Sequence, residues 1–258
     1  MTLPVITAMI LATVVGVSLG LLGGGGSILA VPVFTLVLGM ETREAIASSL
    51  FVVAVTSTIA VLMRTSTRTV KWGVGAAFGV TGMLGGLAGA SVGRFVPDVL
   101  LSVLFGGVMI VTALAMIRGR RTPASSERPR TRSSHVLRVV IIGVSVGFLT
   151  GLLGAGGGFL IVPALLIFGL PIAAATSTSL LVIALNSTAG LAAQVFTTAI
   201  PWETVLPFTA FAVAGSVAGM LLARKLSAPV LRKSFGFFVL AVGVVMLTTT
   251  ILRLAPLL

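Results

Sequence analysis

GLLGGGGSILAVPVF, residues 20–34, lies in an apolar segment long enough to cross a membrane, yet four consecutive glycines and then Pro32 interrupt it. Glycine loosens a helix through its backbone freedom, and proline removes a donor from the helical ladder. At residues 151–166 the chain repeats nearly the same phrase, GLLGAGGGFLIVPALL. Two interruptions of one design point to a duplicated architecture.

The match extends along both halves. Gly20-Leu21-Leu22-Gly23 aligns with Gly151-Leu152-Leu153-Gly154, and Pro32 with Pro163, at an offset of 131. After a shift to 130, Ser48-Ser49-Leu50 meets Thr178-Ser179-Leu180, Ser57-Thr58 meets Ser187-Thr188 and Trp72 meets Trp202. Gly85 and Gly89 then meet Gly215 and Gly219, and Arg94 meets Arg224. A repeat of this size in a membrane protein predicts a transporter built from two related units.

That the lipid bilayer is the solvent follows from composition. The chain is 57% hydrophobic and 9% charged, with a mean hydropathy of +1.22, too little charge for a soluble domain of this length. Seventeen Lys/Arg against five Asp/Glu give +12. These cations sit between apolar stretches, where they orient the chain against the cytoplasmic leaflet, so no nucleic-acid partner is expected. Without cysteine there are no disulfides or thiolate metal sites, and no cofactor is expected. The opening MTLPVITAMI has no basic n-region and does not read as a cleaved signal peptide.

Residues 118–138, RGRRTPASSERPRTRSSHVLR, carry seven arginines and two prolines and read as a mobile cytoplasmic loop. It separates an N-terminal transmembrane repeat, 1–117, from a C-terminal one, 139–258. Each repeat has a long broken segment, 3–39 or 139–170, followed by three ordinary spans. These are predicted at 44–63, 72–93 and 98–117, and at 175–198, 204–223 and 235–252. The predicted fold is thus an all-α polytopic membrane protein.

The parity of the broken segment decides how the repeats are related. If it goes in and comes back, as a re-entrant hairpin or two short tilted helices, 14 cations lie inside and 3 outside. If it crosses once, the division is only 11 against 6. The positive-inside rule favours the first arrangement, which inverts one repeat relative to the other and puts both termini outside. The expected location is a bacterial inner membrane.

Within hydrocarbon, irregular backbone survives only where it is buried or lines a cavity. A short helix restarting near Ser27 and ending at Gly39 would present free N–H groups and the positive end of its dipole at mid-membrane depth, as would one starting at Gly156–Phe159. Such ends bind anions. The candidate substrate site is therefore Gly23, Gly24, Gly25, Gly26 and Ser27 with Gly154, Ala155, Gly156, Gly157 and Gly158. Hydroxyl or amide donors come from Ser48, Ser49, Ser177, Thr178, Ser179 and Asn186, helped by Gln194. This is an anion site without a fixed charge. The interiors of the predicted spans hold no Asp, Glu, His or Lys, so a proton as coupling ion would lack an evident carrier.

Other features have plainer readings. Gly82, Gly85, Gly86 and Gly89 have the spacing of close helix packing. Trp72 and Trp202 read as interfacial anchors, Arg43 and Arg94 as snorkelling residues at span ends, and His135 as solvated. Neither glycine run is a soluble phosphate loop: GLLGGGGS lacks the Walker lysine, and GAGGGF lacks the last glycine of the dinucleotide fingerprint. With no Cys, His or paired Asp in the spans, an intramembrane enzyme is not expected.

The two glycine-rich phrases, each followed by a Ser/Thr-rich span, resemble the signatures of the sulfite exporter family of TauE/SafE type. The resemblance covers nearly the whole chain. It implies a permease for a small anion such as sulfite, sulfoacetate or a sulfonate, moved by alternating access. A passive anion channel and a non-transporting partner subunit are the alternative readings.

Overall fold

A computed structural model describes residues 3–24, 26–65, 69–93, 95–118, 132–152, 158–194 and 198–254. The described residues are helical throughout the predicted spans. α1 (Leu3–Leu22) leads to the first break, and α2 (Ser27–Pro32) follows it, continued by a π-helical turn over Val33–Val37. α3 (Thr42–Thr65), α4 (Trp72–Gly93) and α5 (Asp98–Ile117) complete the first half. The second half repeats the order with α6 (Arg132–Leu152), α7 (Gly158–Ile167), α8 (Ile172–Gln194), α9 (Trp202–Lys225) and α10 (Ala228–Leu254).

Local chemistry accounts for many of the boundaries. Pro97 and Pro201 precede α5 and α9, where a missing N–H costs nothing. Glu44 and Glu203 sit in the first turns of α3 and α9, favourable against the helix dipole. Pro32 removes a donor, and the backbone beyond it widens into the π turn, with Leu38 N–H bonded to the Val33 carbonyl at 3.3 Å. α6 begins at Arg132, so the last part of the arginine-rich segment is helix rather than loop. α8 is described as far as Gln194, and residues 195–197 of the predicted span lie outside the described residues.

The halves are interlocked. α1 packs along α9, with Gly16 against Ala212, Gly20 against Ser216, Gly215 against Thr13 and Gly219 against Val17. α6 packs along α4 in the equivalent register, with Gly147 against Gly82 and Gly85 against Val144. A side chain at any of these glycines would strike backbone, which is the close packing that small residues permit in membranes. Both pairs run parallel: Gly16 and then Gly20 meet Ala212 and then Ser216, and Gly143 and then Gly147 meet Phe78 and then Gly82.

α3 and α8 occupy the centre, rich in fully buried residues. Arg64 meets Thr176 and Ser177 near one end, and Leu50 meets Gly190 near the other, so this pair runs antiparallel. α5 and α10 are also antiparallel: Gly106 meets Leu247 while Gly236 meets Ile117. Trp202, the first residue of α9, stacks edge-on upon Phe51, the tenth residue of α3, with ring centroids 5.0 Å apart. Arg64 near the end of α3 meets Gly20 near the end of α1, so α1 and the α9 packed along it run in the same direction as α3. The shorter α2 limb lies between α1 and α3 in the chain. α1 is the longer limb of the broken segment, its 20 residues rising about 30 Å.

By length and composition, Arg43–Thr65, Trp72–Gly89, Ile172–Ala192 and Trp202–Ala223 are each able to cross a membrane. Large apolar residues such as Leu62, Leu84, Leu87, Val111 and Ile141 point outward, as expected of a lipid-facing surface. Trp72 and Trp202 are about half exposed at the starts of α4 and α9.

Candidate functional site: the meeting of two helix breaks

The first break turns at Gly23, whose φ of 73° is a left-handed conformation that glycine adopts without strain. Its N–H closes α1 on the Leu19 carbonyl at 2.9 Å. Its carbonyl accepts from the Ser179 hydroxyl of α8. Ser27 begins α2, and its hydroxyl donates back to the Gly24 carbonyl at 2.8 Å. Gly26 lies directly on α1, against the Val15 carbonyl and Leu19.

The start of α7 arrives opposite the first break. A Cβ on Gly24 would strike the Gly158 carbonyl, and one on Gly158 would strike the Ser27 hydroxyl. Ile183 Cδ1 is 3.0 Å from the Gly24 Cβ position, and Ile183 is twelfth of the 23 residues of α8. The first break therefore touches the start of α7, the residue that follows the second, beside the middle of a membrane-length helix. In this arrangement the junction is closed by backbone contact.

Next to the junction lies a residue that the sequence reading left out. The span predicted at 44–63 ends before Arg64, one of the 14 cations counted inside. In the structure α3 continues to Thr65 and turns Arg64 inward, 8% exposed. Its Nη2 donates to the Gly20 carbonyl at 2.5 Å, and its Nη1 to Thr176 Oγ1 at 3.2 Å and Ser177 Oγ at 3.1 Å. Gly20 is in the last turn of α1, where carbonyls lack helical partners and the dipole favours a cation. A guanidinium that the expected site did not include thus contacts one of its predicted residues, Ser177.

The hydroxyls also behave differently from expectation. Ser177 donates to the Ala173 carbonyl at 2.8 Å, and Thr176 to the Ile172 carbonyl at 3.0 Å. Their protons serve their own helix while their lone pairs receive Arg64, so the guanidinium is the donor of this layer. Thr69 and Lys71, just before α4, bond to the same helix. Thr69 Oγ1 donates to Ser177 Oγ at 2.9 Å, and the Lys71 backbone N–H to Thr178 Oγ1 at 3.1 Å.

Gly23, Gly24, Gly26, Ser27, Gly158, Ser177, Thr178 and Ser179 are thus brought together. Ser48 and Ser49 lie sixteen and fifteen residues before Arg64 on α3, about 24 Å from it along the axis. Ser49 donates to the Ile46 carbonyl at 2.9 Å, and the buried Ser48 hydroxyl has no partner among the described residues. Asn186 is two turns beyond Ser179, its Nδ2 3.7 Å from the Cβ position of Gly82 on α4. Gly25 and Gly154–Gly157 lie outside the described residues. The overlooked signal for Arg64 was the repeat itself, because its equivalent at the 130-residue offset is Gln194.

Membrane-length helices around this junction define a polytopic membrane protein. The family model described as "Sulfite exporter TauE/SafE" matches residues 8–246, and the chain belongs to that family. A "Probable membrane transporter protein" of Xylella fastidiosa is 34% identical over 237 residues, covering 89% of this chain and 90% of the relative. One from Methanocaldococcus jannaschii is 30% identical over 70% of this chain and 69% of its own length. One from Bacillus subtilis is 29% identical over 84% and 88% respectively. No solved structure matches the chain.

Proposed function

We propose that this transporter moves small organic or sulfur-containing anions, of the class of sulfite, sulfoacetate and sulfonates, by alternating access about the Gly24–Gly158 junction. The observation that carries the reading is the direct meeting of the first break with the start of α7 beside the centre of α8. A junction closed by backbone contact suits a carrier that opens one way at a time better than a standing pore. Arg64 supplies the sign of charge that an anion requires. The name of the family supports sulfur-containing anions as the first to test.

Equivalent helices that run antiparallel, α3 against α8 and α5 against α10, support halves inverted across the bilayer. With the arginine-rich segment in the cytoplasm, both termini lie outside. The midplane site then sits between the two repeats, as in other transporters of inverted design.

The test is uptake into proteoliposomes of the purified protein, offered sulfite, sulfoacetate, taurine, sulfate and an uncharged sulfone. Saturable, counterflow-capable movement of an anion, with none of the sulfone, is expected. Flux at channel speed without counterflow would favour a passive facilitator. No flux by the purified chain, restored by a co-encoded partner, would make it a subunit. An imposed pH gradient tests the proton as coupling ion.

A further inference from the structure

We infer that Arg64 is an anion-operated clasp. In the closed arrangement its guanidinium ties three elements drawn from both halves: the end of α1 through Gly20, α3 through its own backbone, and α8 through Thr176 and Ser177. An oxyanion entering beside the junction competes for the same N–H donors. A sulfonate or carboxylate offers a guanidinium two charged acceptors in a planar fork, which outmatches a carbonyl and two hydroxyls. Transfer of the guanidinium from these groups to the substrate releases the end of α1 from α8. It also loosens the segment over Ser177 and Thr178, which is held by Thr69 and the Lys71 N–H. Recognition of charge and opening of the gate are then one event. The inference rests on the transport reading above and adds the residue that couples substrate to movement.

The second half lacks the charge. The residue equivalent to Arg64 is Gln194, and the residue equivalent to Thr178 is Ser48, whose buried hydroxyl has no partner among the described residues. The clasp therefore operates at one of the two pseudo-equivalent positions, and the substrate-sensitive step belongs to one face of the membrane.

The chain has no cysteine, so a single Val70→Cys in the full-length protein reports on the segment above the clasp. Val70 lies between Thr69 and Lys71 and is buried. Sulfoacetate is expected to raise its maleimide labelling rate about tenfold, with half-saturation near the transport KM, and dimethyl sulfone to leave it unchanged. Arg64→Gln should label at the raised rate without anion, and its KM should rise about tenfold or more. If Arg64→Gln fails to fold, Thr176→Val with Ser177→Ala removes both hydroxyl acceptors on α8 and should raise the basal rate. Wild-type transport with anion-independent Val70→Cys labelling would overturn the clasp and leave the transport reading standing, as would an unchanged KM in Arg64→Gln. Absence of any wild-type anion flux would instead remove the transport reading.

Discussion

Gly24 and Gly158 meet backbone to backbone: a Cβ on Gly158 would stand 2.9 Å from the Gly24 carbonyl oxygen and closer still to the Ser27 hydroxyl. Glycine at this point permits contact between halves, in addition to freeing the chain from the helix. The glycine runs therefore serve approach as well as interruption.

Gly158→Ala should force the first break and the start of α7 apart. Overpacking of this kind costs about 1–3 kcal/mol, and transport should fall at least about tenfold while membrane insertion persists. Ser27→Gly in the same chain removes one of the two obstructions and should restore part of the rate. Uptake assays on quantified, inserted protein decide this, and full activity in Gly158→Ala would show that the junction need not close.

Gly23→Ala meets two obstacles, a left-handed backbone and the Thr176 backbone of α8. A loss of at least about 1 kcal/mol is expected from the backbone alone. It should appear as a lower melting temperature in detergent, larger than that of Ser179→Ala, which removes only the hydroxyl donor to the Gly23 carbonyl.

Interlocking predicts paired effects. Gly85→Val and Gly215→Val occupy equivalent contacts, α4 on α6 and α9 on α1, and should destabilise to a similar degree. Gly107→Ala, with nothing within 4 Å of its Cβ position, should be neutral or slightly stabilising. A thermal-shift series in one detergent separates the two groups. Equal tolerance at all three positions would contradict the packing described.

Single cysteines at Ser126 and Ser227 should react with an impermeant reagent from the same side of the membrane. That result is required if the broken segment returns and the halves are inverted. Labelling from opposite faces would restore the parallel arrangement.

Much of the fold was legible because a bilayer admits few solutions. The 20-residue apolar runs marked α4 and α5 to their observed ends, and Ser27 was identified as the restart of the chain after its glycines. Arg64 escaped notice because hydropathy ends a span at the first charge, whereas burial depends on what folds over that charge. Here the partners come from α1 and α8, far away in sequence, and no local pattern announces them. Ser48 and Ser49 illustrate what antiparallel packing does to equivalent positions. Repeat equivalence puts them at positions matching Thr178 and Ser179, but antiparallel running of α3 and α8 carries matching positions to opposite ends.

The exchange of partners, α1 on α9 and α6 on α4, has a consequence for how the protein is made. As the chain leaves the ribosome, the small-residue face of α1 has no cover until α9 follows it, nearly the whole chain later. Neither half completes its own interior, so the ancestral duplication has become irreversible: the two copies survive only as each other's scaffold.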